Sequence, residues 1–243
     1  MPSWGIHLLI AKKVNTKLHY NSNTFYYANL LPDVNKKYNI TRKETHYYND
    51  KIICEGCPKE TLPDINSFIE DYKEHLDSEL IVGYYCHLLA DYYYNNIIAP
   101  KCYLQDKDNN IIGLIYKDGK KKIYNEKKLG KILANKKHHD LELYAKYLFK
   151  ENKVDVPIED DEIYKDLNLL KNQFVLPENA KERIEYLSND FNKFNKIKFF
   201  ERIGGLKLFY KEELDKVLDD CVSFIIEKLK EENIIKEVEN INE

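Results

Sequence analysis

The chain has 243 residues, 43% of them hydrophobic; that suffices for one sizeable core, so a single domain spanning 1–243 is the expected organisation. Lys and Arg number 38 against 41 Asp and Glu, a formal net charge of -3, which excludes the basic footprint of a dedicated binder of long nucleic acid and leaves a small nucleotide or lipid headgroup open. No apolar run approaches membrane-spanning length, the opening MPSWGIHLLIAKKV does not read as a signal peptide, and five cysteines point to reduced thiols in a cytoplasm.

Apolar spacing predicts helix over most of the chain, starting with a segment from about Trp4 to Val14 that Ser3 can cap. His7 falls on its apolar face with Ile10, Ala11 and Val14. Pro32 interrupts the next stretch, Asn29-Leu30-Leu31-Pro32-Asp33, and leaves Asp33 on irregular backbone. Pro63-Asp64 marks a helix start, the pattern from Ile65 to about Leu76 is amphipathic, and Asp77 or Ser78 begins another helix running to about Asn95. That last helix is apolar almost all round, which predicts a central, buried position.

From Ala99 to Tyr124 the helical period is lost. The runs IIGLIY and KKIY flank Lys117-Asp118-Gly119-Lys120, a tight-hairpin signal, so a small β-hairpin around 103–124 is expected within a peripheral insertion of about 101–125. Helical periodicity returns over about 125–152, 160–173, 177–195 and 211–235, with Gly204-Gly205 before the last.

Few residue types in this chain can do chemistry. His87 and Asp91 are four apart on the central helix and project from one face. A carboxylate set among leucine and tyrosine is costly to bury unpaired, so a positive species is expected beside it, and a metal ion is the best candidate. Asp33, after an apolar turn, and His46, within Thr45-His46-Tyr47-Tyr48, extend the set, as does His7. Each also has an ordinary reading: a core histidine, a turn aspartate, a surface histidine, and for His87 a hydrogen bond to the carboxylate one turn along. Cys54-Glu55-Gly56-Cys57 lacks the four ligands of structural zinc and reads as a loop with two free thiols. The tyrosines at 84–85 and 92–94 read as packing, with a hydroxyl or two near the pocket. His19 and His75 carry no expected chemistry.

A histidine in an N-terminal helix preceded by tryptophan, then Asp after an N-x-L-P-D-like turn, then Thr-His, then His-x-x-x-Asp in a tyrosine-rich helix resembles the zinc-dependent phospholipase C family. The motif content covers about residues 1–96. The resemblance implies an all-α, multi-helical fold shared with single-strand-specific zinc nucleases. It implies metal ligation by His87, Asp91, Asp33 and His46, with His7 on a second ion that Asp91 bridges. Zinc suits this nitrogen and carboxylate mix, and manganese or iron is compatible. The family's third metal uses a His-x-x-x-Glu pair, matched by the spacing of His138 and Glu142, but its further histidine is replaced by Asn95-Asn96-Ile97-Ile98. The family's amine ligand also has no counterpart, since Trp4 is internal. The activity implied is phosphodiester hydrolysis by a metal-bridging water on a small phosphoester or phospholipid headgroup, with Asp33 as proton acceptor. A nuclease or nucleotidase of the same fold, and a helical protein whose degenerate site binds metal without catalysis, are the alternatives.

Overall fold

The computed structural model describes residues 2–33, 41–152, 166–170 and 205–235. Helix α5 (Glu79–Cys102) is its axis: Leu80 through Asp91 are all buried, and one face of the following turns as well, with Tyr94, Asn95, Ile98, Ala99 and Cys102. An element apolar on every side is stable only when others enclose it. Around it pack α1 (Trp4–Leu18), α2 (Thr24–Ala28), α4 (Ile65–Tyr72) and α7 (Lys211–Glu231). Helix α6 (Glu126–Asn152) lies against α1. A four-residue helix, α3 (Arg42–Thr45), is closed by a capping box in which the Thr41 hydroxyl accepts from the Glu44 amide and the Glu44 carboxylate accepts from the Thr41 amide.

Helix outweighs strand among the described residues, 63% to 14%, so the chain is mostly helical with small antiparallel sheets. Strands β1 (Tyr48–Cys54) and β2 (Cys57–Pro63) form one hairpin. Strands β3 (Tyr103–Gln105), β4 (Ile111–Ile115) and β5 (Lys121–Ile123) form an antiparallel meander. The Asp118-Gly119 turn joins β4 to β5 as the spacing predicts. The insertion is built further into the protein than its composition implies: Tyr103 and Leu114 belong to the core, and only β5 is exposed throughout.

The first hairpin corrects the reading of 54–57 as a loop. Cys54 and Cys57 are cross-strand partners around a two-residue turn, with Gly56 at φ 77°. Both thiols are free and buried. This turn docks where Pro100 interrupts α5. Proline offers no N–H to the carbonyl four residues back, that of Asn96, and the Cys54 thiol lies 3.7 Å from it while the Asn96 side chain accepts from the Glu55 amide at 2.9 Å. The central helix extends to Cys102, past the expected end near Asn95, with the hairpin turn packed against it at Pro100.

Two other ends differ. Helix α1 continues to Leu18, and Ser3, although at its N-terminal boundary, spends its hydroxyl on the Leu141 carbonyl at 3.3 Å rather than on a cap. Helix α4 gives way after Tyr72 to a 3-10 turn over Lys73–His75. The helix expected over 177–195 lies outside the described residues, and of the one expected over 160–173 only 166–170 are described, with a 3-10 turn at Leu167–Leu169.

Candidate metal centre

Five side chains from four segments meet beside the middle of α5. The arrangement starts from Gly83, where a Cβ would lie 2.4 Å from the Phe25 carbonyl oxygen; only glycine lets α2 approach α5 this closely. That approach sets Asn29, the residue after α2, against the central helix: its side-chain amide donates to the Gly83 carbonyl at 3.2 Å and its own carbonyl faces His87 Nδ1 at 2.7 Å. A carbonyl only accepts, so His87 carries its proton on Nδ1 and directs the Nε2 lone pair into the cluster. The neutral ring is reinforced by burial, which holds the His87 pKa well below the ordinary value, with His7 alongside adding to the effect.

His46, at the end of α3, is fixed from behind by the Thr45 hydroxyl, 2.8 Å from Nδ1, and puts Nε2 3.2 Å from His87 Nε2. Burial also lowers the His46 pKa, helped by Arg42 and opposed by Asp33. The residue after it, Tyr47, takes a left-handed φ of 53°, a conformation that costs a bulky side chain roughly 1–3 kcal/mol and is found where the surrounding structure enforces it. His7 stacks on His87 with ring centroids 4.0 Å apart and 8° between planes. Its Nε2 lies 3.4 Å from Asp91 Oδ1 without hydrogen-bond geometry, and neither His7 nitrogen nor Asp91 Oδ1 has a hydrogen-bond partner among the described residues. Asp33 receives the Trp4 indole N–H on Oδ2 at 2.8 Å and turns Oδ1 to His46 Nε2 at 3.3 Å.

These separations can be compared with what a metal requires. Atoms 2.0–2.1 Å from a tetrahedral zinc ion stand about 3.3 Å from one another. His46 Nε2 is 3.2 Å from His87, 3.3 Å from Asp33 and 3.6 Å from Asp91 Oδ2, and His87 Nε2 is 3.9 Å from the same oxygen. His7, Asp33 and His87 form a second close group with donor atoms within 4.8 Å of one another. Asp91 divides its oxygens between the two sides, Oδ1 toward His7 and Oδ2 toward His46 and His87. The residues present therefore fit a zinc-type ion by spacing, by tautomer and by orphaned buried atoms.

Both carboxylates are held below the usual range. Burial pushes Asp91 upward, but the close approach of His7 and the fields of His87 and His46 outweigh it; at Asp33 the His46 contact, His87 and Arg42 likewise overcome burial. Arg42 is the fixed cation facing them. It donates from one nitrogen to Asp33 Oδ1 at 2.6 Å and from the other to Asp91 Oδ2 at 3.3 Å and to His46 Nε2. Two carboxylates against one guanidinium leave a negative charge in excess.

The five residues read from the sequence as a ligand set thus converge, although they come from α1, the turn after α2, the end of α3 and α5. His138 and Glu142 belong to neither ligand group among the described residues: they pair with each other at 2.5 Å on α6, with the His138 side chain 67% exposed. Between them, Asp140 is fully buried and accepts the backbone amides of Lys207 and Leu208 at 2.8 and 2.6 Å, fastening the segment before α7. Three contributors escaped sequence reasoning. Arg42 stands four residues before His46, a spacing that places both on one helical face and was the available signal; Asn29 acts through its backbone and Trp4 through its indole N–H.

No protein-family model matches the chain, and no match is found among curated proteins or solved structures. No helix among the described residues is long and apolar enough to cross a membrane.

Proposed function

We propose that the chain is a metal-dependent phosphoesterase of the zinc-dependent phospholipase C type, acting on a small phosphoester or phospholipid headgroup. One observation carries the metal: the Asn29 carbonyl fixes the His87 tautomer so that two imidazole Nε2 atoms face each other at 3.2 Å between ionised carboxylates. With its proton committed to the Asn29 carbonyl, the His87 ring presents an acceptor nitrogen toward His46, Asp33 and Asp91, the donor set a shared metal ion takes. The phosphoester rests on the ligand order along the chain, which resembles that family, and a small substrate fits the net charge of -3 better than a long nucleic acid does.

His46, His87, Asp33 and Asp91 would hold one zinc ion, with His7 and the second Asp91 oxygen on another. Bound there, the ions would lower the pKa of a water and offset charge on the phosphate oxygens. Asp33, oriented by the Trp4 indole, would take the proton of the attacking water. Asp91 would keep both halves of the site in register through its two oxygens.

The test is metal content after purification from zinc-supplemented medium, together with turnover of bis(p-nitrophenyl) phosphate and p-nitrophenylphosphorylcholine. Bound zinc and turnover that a chelator abolishes are expected. A fully folded protein that takes up no zinc, manganese or iron would end this reading. The guanidinium within the cluster favours one alternative, a metal-binding protein without catalysis, for which metal would bind and neither ester would turn over.

A further inference from the structure

We propose that Arg42 is the internal counter-ion of this cluster, and that its guanidinium must withdraw before a metal ion is fully coordinated. The inference rests on the metal-site reading above and concerns what competes for the site. Arg42 engages the donor atoms a metal would use: Asp33 Oδ1 at 2.6 Å, Asp91 Oδ2 at 3.3 Å and His46 Nε2. The His46 Nε2 has one lone pair, which cannot be directed at the guanidinium and at a metal at the same time, whereas each carboxylate oxygen keeps a second. Both His7 nitrogens and Asp91 Oδ1, which Arg42 does not touch, are cluster atoms with no hydrogen-bond partner among the described residues. The guanidinium thus occupies donor atoms in one half of the cluster and leaves those of the other, buried half without a partner.

Withdrawal needs an anchored backbone and an exit, and both are present. The backbone of Arg42 is the first residue of α3, secured by the Thr41 and Glu44 capping box. Its side chain is 25% exposed while those of Asp33 and Asp91 are 6% and 0% exposed, so the stem reaches the carboxylates from the solvent side. In its engaged position the guanidinium carbon lies 6.0 Å from the centroid of the Tyr48 ring, which itself stacks on His46.

The sole tryptophan, Trp4, donates to Asp33 and so reports on the site. Zinc titration of the full chain, followed by Trp4 emission and by calorimetry, is to be compared with Arg42→Met and Arg42→Lys. Methionine keeps much of the apolar stem and removes the competitor; lysine keeps a charge but loses the fork. Zinc should bind Arg42→Met about tenfold or more tighter than wild type, the fold-change expected when a charge-assisted hydrogen bond no longer has to be broken first, with Arg42→Lys between. Should Arg42→Met not fold, an Arg42→Lys affinity above that of wild type carries the inference. Equal or weaker zinc binding in the variants overturns it while leaving the metal site standing. No zinc binding in any of the three removes the site reading and the inference with it.

Discussion

At the scale of single residues, Asp91 has the most to lose. Its two oxygens face different partners, so Asp91→Asn removes a charge from both halves of the cluster, whereas His7→Ala deletes a donor from one half only. Metal stoichiometry by elemental analysis is expected to fall toward zero in the first and toward one in the second. Equal full loading of both variants would contradict the bridging role. His138→Ala should leave metal content unchanged, because its imidazole is mostly exposed and paired with Glu142; a lost equivalent of metal would return the pair to the site. The i, i+4 spacing of His87 and Asp91 was legible because helical geometry alone puts them on one face. Arg42 was not read because a charged residue beside a capping threonine is ordinary on a solvated helix. What distinguishes it is the pair of carboxylates facing it, which come from the turn after α2 and from α5.

At the scale of elements, the site depends on how closely α2 lies on α5. Gly83→Ala would bring a Cβ within 2.4 Å of the Phe25 carbonyl and 2.7 Å of the Ala28 Cβ. Backbone cannot yield as a side-chain tip can, so α2 must shift and carry Asn29 off His87. A destabilisation of about 1–3 kcal/mol, typical of an overpacked contact, is expected in thermal melts, together with weaker zinc binding. Unchanged zinc affinity at lowered stability would show that Asn29 does not set the His87 tautomer. The long helices were readable because their apolar periods are sustained over many turns. The hairpin of β1 and β2 was not: its strands are mixed in polarity, and docking of its turn at Pro100 is what places Cys54 and Cys57 against α5.

For the molecule as a whole, the cluster makes stability depend on pH with a definite sign. Burial holds His46 and His87 below the ordinary imidazole value in the fold, while in the unfolded chain they titrate near 6.5. Below about pH 6.5 the unfolded state binds more protons, so stability falls with acid, by up to about 2.7 kcal/mol per pH unit for the two rings, and is level above it. Asp33 and Asp91, held below the usual carboxylate range, add a loss of the same sign below about pH 4. Urea midpoints with a chelator present should therefore drop between pH 7.5 and 5; a constant midpoint would mean that the two rings titrate in the fold as they do in the unfolded chain. Sequence by itself determined the helical character, the central helix, the second hairpin turn and the His87 and Asp91 pair, since these follow from local periodicity, turn chemistry and helical spacing, while His7, Asp33 and His46 joined the candidates through the family-like order of motifs. Tertiary structure alone decided that the candidates meet in one buried cluster, which imidazole nitrogen faces inward, and that a guanidinium lies among them. Those facts depend on distances between segments far apart in the chain, such as the close approach permitted by Gly83, and no local pattern encodes such a distance.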